Sequence, residues 1–286
     1  MPAVAARAPG NFAVLGAVLA VSFAAIACGC PRAGCPTTPH TDALTAIRYH
    51  ESMRVRVRSI RAEARIDQRD RSGRIRGTVM MFVERPNHVR FDAMTQFGPA
   101  AILTSNGRDF ALTDLRENTY LEGPTCPRSI ARLVGIPLSG EDVSRVLLGG
   151  TPVIEATERQ VECTGDGAYR ITLSGGRDHR RQVIELAVRE QDLRAPPEEQ
   201  RLRLVKSEVF DARGRTQWRA TWDDHRVLPL GEMGVAMPFE VRFEDPSRGV
   251  DTLMRFQSID LNVDVPPDAF VQHPRGGITV EHVSCD

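Results

Sequence analysis

The feature that most constrains this chain is a two-residue alternation of apolar and polar side chains that recurs along nearly its whole length. From Ile60 the apolar set is Ile60, Ala62, Ala64 and Ile66, and the polar set is Arg61, Glu63 and Arg65. The same period returns near the end, where Ile259, Leu261, Val263 and Val265 alternate with Asp260, Asn262 and Asp264. Successive side chains of a strand point to opposite faces, so this period describes half-buried antiparallel strands. Turn residues separate the runs at Ser72-Gly73, Pro86-Asn87, Asn106-Gly107, Asp211 to Gly214 and Pro246 to Gly249. Roughly eleven or twelve strands are expected, six of them before residue 122. The second set includes runs at 153–161, 182–188 and 253–265.

Two stretches depart from that period. A helix is expected from Thr41 or Asp42 through Leu44, Ile47 and Met53, with Arg54, Arg56 and Arg58 favourable at the negative end of its dipole. Pro127 to Gly149 reads as two short amphipathic helices with apolar Ile130, Leu133 and Val134, then Val143, Val146 and Leu147, stopped by Gly135 and Gly149-Gly150. Such helices must lie on an apolar surface. The strand at Ile75–Val83 adds Met80 and Phe82 to its second face, so that face also calls for cover. Residues 190–200 carry Pro196-Pro197 and four acids and read as a solvated loop. No composition break divides the chain.

The N-terminal part sets a compartment. Asn11 to Cys28 follows Arg7 with an uncharged apolar run from Phe12 to Ala27, shorter than the roughly 20 residues a bilayer needs. A basic start, an apolar centre and small residues before a cut make a secretory signal. Ala25-Ile26-Ala27-Cys28 resembles a bacterial lipobox, which implies that the Cys28 thiol is acylated and becomes the first residue of the mature protein. Residues 28–41 then form a lipidated flexible tether rich in Gly, Pro and Thr.

Composition excludes several function classes. The chain has 37 basic and 37 acidic residues, a balance that offers no field for nucleic acid. Beyond Cys28 stand Cys30, Cys35, Cys126, Cys163 and Cys285, in an envelope compartment that permits disulfides. Cys126 with Cys163 is one plausible pair, although spacing alone leaves the connectivity open. No CxxC, HExxH, GxSxG or glycine-rich phosphate loop is present. Asp223-Asp224-His225 reads as an exposed hairpin end, because neighbours in a strand face opposite ways. No catalytic residue, metal ligand or cofactor is expected.

The order of lipobox, helix, strands, helix pair and strands resembles the LolA/LolB superfamily of lipoprotein carriers. The most telling stretches are Leu133 to Gly149, similar to the helical insertion of LolB-like lipoproteins, and Leu261 to Phe270 with Pro274, similar to that family's last strand and tail. The resemblance implies a mainly β fold with short helices. Its core is a curved, unclosed antiparallel half-barrel of about eleven strands, covered by an N-terminal helix and a mid-chain helix pair. It implies an apolar concavity for acyl chains, with candidates Met80, Met81, Phe82, Phe91, Trp218 and Trp222. By position, Phe97 in Gln96-Phe97-Gly98-Pro99 corresponds to the family's membrane-facing loop.

The expected organisation is a signal peptide at 1–27, the tether at 28–41, the half-barrel at 42–275 and a tail at 276–286. The resemblance implies a lipoprotein anchored by Cys28 in the outer membrane, facing the periplasm, that receives the acyl chains of other lipoproteins or of lipid from a soluble periplasmic carrier. Gly29 after Cys28 favours the outer membrane by the enterobacterial sorting rule. The competing expectation is an envelope lipoprotein with this fold that binds another partner.

Overall fold

The alternating runs become one sheet of fourteen strands. The computed structural model describes residues 34–285, apart from Ser72, residues 135–137 and Met233. Cys28 and the rest of the N-terminal signal lie outside the described residues. The chain divides into two units, Met1–Arg32 and Ala33–Asp286, and the described residues belong to the second.

Helix α1 (Ala43–Arg54) comes first. Strands β1 (Ser59–Asp70), β2 (Gly73–Glu84), β3 (His88–Thr95), β4 (Gly98–Ser105), β5 (Asp109–Asp114) and β6 (Thr119–Pro124) follow as a meander. Helices α2 (Pro127–Val134) and α3 (Gly140–Leu147) interrupt it. The second meander comprises β7 (Glu158–Cys163), β8 (Ala168–Ser174), β9 (Arg181–Val188), β10 (Leu202–Phe210), β11 (Thr216–Leu228), β12 (Val235–Asp245) and β13 (Val250–Leu261). A last short strand, β14 (Thr279–His282), lies in the tail.

The two meanders join where β1 pairs with β13, giving the order β14-β6-β5-β4-β3-β2-β1-β13-β12-β11-β10-β9-β8-β7. The first and last strands of that order do not meet, so the sheet is curved and unclosed. Each neighbouring pair is antiparallel except β14 on β6, which is parallel. The register follows the sequence period: Ile60 faces Val83, Ala62 faces Met81 and Ala64 faces Val79. All six are buried on one face, which we call the inner face.

α1 and α3 lie on that inner face. Asp42 caps α1 by accepting the Thr45 backbone N–H at 2.7 Å. Ser139 Oγ caps α3 by accepting the Asp142 N–H at 3.1 Å, and Glu141 with Asp142 places negative charge at the positive helix end. Gly149, at φ +78°, ends the α3 segment in a left-handed conformation, where an added Cβ would lie 2.4 Å from the Arg54 guanidinium.

Several expectations change. The tail is a strap. Residues from Pro266 onward cross the outer face of β3 to β6, where Gln272 Nε2 donates to the Ile102 carbonyl at 3.0 Å and its Oε1 accepts from Thr113 Oγ1 at 2.7 Å. Tyr120 OH donates to the Gln272 carbonyl at 2.9 Å, and the chain then turns to lay β14 along β6. The strap covers the apolar Ile102, Ala111 and Tyr120 of the outer face.

Both ends of the domain are disulfide-bonded, and the pairing Cys126 with Cys163 is not formed. Cys35 bonds Cys163 on edge strand β7, and Cys126 bonds Cys285 beyond edge strand β14. Each disulfide thereby fastens a terminal segment near one edge of the sheet. Part of the expected tether is consequently docked. His40 is buried, and its backbone N–H donates to the Tyr169 hydroxyl at 3.1 Å. Gln200 of the expected solvated loop is fully buried, donating to the Thr38 and Ala195 carbonyls and accepting from Tyr169 OH at 2.6 Å.

Two strands are shorter than expected. Residues 151–157 are irregular because the Gln182 side chain takes their backbone bonds, accepting from Ile154 N at 3.0 Å and donating to the Pro152 carbonyl at 2.7 Å. β13 ends at Leu261, since Asn262 has φ +51° and its side chain accepts from Arg58 N at 2.7 Å.

Candidate functional site

The candidate acyl-binding residues divide between two faces. Met81, Phe91 and Trp222 are buried on the inner face, and Trp218 is half-buried there against the stacked ring of Phe243, 6.0 Å between centroids. Met80 and Phe82 alternate with Met81 and therefore project from the outer face, half-exposed. They are not part of the inner surface, which corrects the expectation that all six line one groove. Phe97, in the turn between β3 and β4, is 91% exposed.

The inner surface is apolar because β1, β2, β3, β11, β12 and β13 each contribute only their even-period set. α3 lies across it and inserts Val143, Val146 and Leu147 among Phe91, Val241, Phe243 and Met254. The space left between helix and sheet is about 10 Å³, room for one water at most. Among the described residues the concavity beneath α3 is filled in this state.

Few polar ties hold the helix there. Trp222 Nε1 donates to the Val146 carbonyl at 3.0 Å, joining β11 to α3. Arg145 bonds Glu141 at 2.9 Å within α3 and reaches Glu51 of α1 at 3.5 Å. At the helix end Arg54 Nη1 donates to the Leu148 carbonyl at 3.4 Å and approaches Met237 Sδ at 3.3 Å. Arg54 is buried; it was expected at the exposed, charged end of α1. Burial, with Arg85 nearby, pulls its guanidinium down to about 10, so it stays protonated at neutral pH.

Beside Arg54 lie two histidines that singly spaced sequence positions gave no reason to unite. His50, one turn before Arg54 on α1, places Nδ1 3.2 Å from the Leu202 carbonyl and Nε2 3.2 Å from the Gly149 carbonyl. Burial first and the Arg54 charge second push it down to about 3, so the ring is neutral and donates to one carbonyl only. His225 is half-buried next to Asp224, whose φ is +49°, instead of sitting at an exposed hairpin end, and the β11–β12 register runs through it unshifted. Burial, then Arg54 and Arg203, push it down to about 4. No signal in the sequence announces that burial. Among the described residues no group of His, Cys, Asp or Glu could hold a metal ion, and no helix is long and apolar enough to cross a membrane.

No family model matches the chain, and no curated protein matches it by sequence. Solved structures do. A LolA superfamily protein from Nitrosomonas europaea superposes with a TM-score of 0.52 at 13% identity, covering 82% of this chain and 99% of that one. A DUF1329 family protein from Desulfovibrio piger gives 0.52 at 12%, covering 81% and 98%. A putative outer membrane lipoprotein-sorting protein domain from Vibrio parahaemolyticus gives 0.51 at 9%, covering 80% and 97%. The chain has a LolA/LolB-like fold.

Proposed function

We propose that this chain is an envelope lipoprotein, anchored through Cys28 in the outer membrane and facing the periplasm, that receives the acyl chains of other lipoproteins or of lipid on the inner face of its half-barrel. The observation that carries the reading is α3 seated on an apolar, unclosed sheet by Val143, Val146 and Leu147. Those side chains occupy the volume that acyl methylenes would fill, and one polar bond ties the helix to the sheet beneath it. Exposing three such side chains costs about 5–9 kcal/mol, and burying about a dozen methylenes returns about 10 kcal/mol. The exchange is close to balanced, as a site that must both take and give up its passenger requires. Met81 and Met254 on the walls adapt to chains of different shape.

Phe97 supports the same role as the residue that meets the membrane, since a large apolar side chain left 91% exposed at a turn is not covered by any of the described residues. A photoreactive residue in place of Met81 tests the proposal in cells: it should capture acylated lipoproteins, whereas one in place of Phe82, on the opposite face, should not. Capture at neither position, with lipoprotein sorting unchanged on depletion, would sink it.

The filled interior supports a second reading, an envelope lipoprotein with this fold that binds another partner and never opens. Delipidated protein that takes up no fatty acid and copurifies with an envelope complex would favour that reading.

A further inference from the structure

The strap leaves the outer face uncovered over β13, β1 and β2, and there the sheet's twist forms an open groove of about 890 Å³. Its floor is Met80, Met94 and Leu253, all half-buried. Its walls are charged. One row across it reads Arg255, Arg65, Thr78, Met94 by strand register. Two arginines thus stand directly opposite each other on neighbouring strands, a like-charge arrangement that costs energy, and Glu240 offsets the charge of Arg255 but not that of Arg65.

The surrounding charges make that pair unusual. The outer face carries a ladder of ion pairs: Arg219 with Glu244 at 2.8 Å, Arg242 with Asp251 at 2.6 Å, and Arg255 with Glu240 at 2.7 Å. Asp67 serves both Arg74 and Arg76, which hold its carboxyl well below the usual range. Among the described residues Arg65 alone of the groove's three arginines has no carboxylate within ion-pair distance. Glu63 lines the next row beside Met80, likewise unpaired. The groove opens past Met94 onto Thr95 and Gln96, the turn that presents Phe97.

We propose that this groove binds the phosphate headgroup of an anionic membrane phospholipid, Arg65 and Arg255 taking the phosphate while Met80, Met94 and Leu253 cover the adjoining glycerol and first methylenes. It is separate from the inner acyl site, and it rests on the reading that Phe97 faces a lipid surface. Arginine suits this role because its planar fork bonds two phosphate oxygens at once. A groove within the few-hundred to thousand Å³ range of ligand sites accommodates such a group. Together the groove and Phe97 would set the half-barrel's orientation on the bilayer independently of Cys28.

The test uses the full chain carrying Cys28→Ser, which takes no lipid, and flotation with vesicles of phosphatidylcholine alone or with phosphatidylglycerol added. Binding should require phosphatidylglycerol, and Arg65→Gln should weaken it about fivefold, the effect of one basic residue at an anionic surface. Arg194→Gln, the same charge change on the exposed loop between β9 and β10, outside the groove, should leave it unchanged, and Glu63→Gln should tighten it. Equal losses from Arg65→Gln and Arg194→Gln, or binding indifferent to phosphatidylglycerol, overturn the proposal. So does Arg65-dependent binding of soluble glycerol phosphate with no binding of vesicles, which would assign the groove to a free phosphate. Phe97→Ser separates the two readings. If it has no effect while Arg65→Gln does, the membrane role of Phe97 fails and the groove stands.

Discussion

Trp222 donates its indole N–H to the backbone carbonyl of Val146, 3.0 Å away, and this bond ties the helix that fills the concavity to the strand beneath it. The Trp222 ring is 2% exposed, so the donor has no access to water once the helix is seated. Trp222→Phe keeps most of the apolar volume and removes the donor, leaving the Val146 carbonyl unpaired. The change should cost about 1–3 kcal/mol and should fall on the closed state. Amide hydrogen exchange of α3 is expected to speed up more than that of β1 and β2. Uniform acceleration across the domain would mean that the helix does not open by itself.

Acid should loosen the same region. His50 and His225 are held in the fold at about 3 and about 4, both below the unfolded value near 6.5. The unfolded chain therefore binds more protons between those values. The stability that the neutral rings contribute is complete above about pH 6.5 and declines as pH falls toward 4, by up to about 1.4 kcal/mol per pH unit for each ring. The denaturant midpoint should drop between pH 7 and pH 5, and His225→Gln should flatten that slope. A slope unchanged in His225→Gln would show that its protonation is not linked to folding.

Arg54 carries a buried charge with no carboxylate partner among its bonds. A buried charge is costly, and an apolar side chain of similar length is often neutral or stabilising in its place. Arg54→Met should leave the melting temperature unchanged or raise it, while Arg54→Ala lowers it by opening a cavity against Gly149 and Pro238. A large loss in Arg54→Met would show that its bond to the Leu148 carbonyl outweighs desolvation.

The disulfides fasten distant parts of the chain. Cys35–Cys163 and Cys126–Cys285 span separations of 128 and 159 residues. Loops of that size make each bond worth about 2–5 kcal/mol. Peptide mapping under non-reducing conditions should recover those two links and no Cys126–Cys163 peptide. Cys126→Ser with Cys285→Ser should free β14 first, since all four of its residues are exposed and it rests on one neighbour.

How far the sequence is legible follows from what each signal measures. The two-residue period is a local property, and it led correctly to the strands from Ser59 to Pro124, while the unclosed sheet followed from the family resemblance. It also states that Met81 and its neighbours Met80 and Phe82 point opposite ways, yet it cannot say which face a helix will cover. The strap escaped notice because Gln272 and Tyr120 are separated by 152 residues and the segment has no period of its own. His225 escaped because the positive φ of its neighbour Asp224 leaves no trace in a two-residue period. The docking of residues 35–41 depends on a disulfide, whose connectivity spacing does not encode. Arg54 reads as a solvated helix end in sequence, and only the packing of α3 over it makes it interior.

The central claim is that the inner face beneath α3 is an acyl-binding site that the helix closes. It is tested most directly by incubating purified protein with a photoreactive fatty acid, in parallel with Val143→Asp, and mapping the labelled peptides. The account predicts label on β2 and β3 at Met81 and Phe91, none on Met80 or Phe82, and more label in Val143→Asp because the charged helix no longer seats. Label confined to the outer face, or an inner face that stays unlabelled even when α3 is displaced, would contradict it.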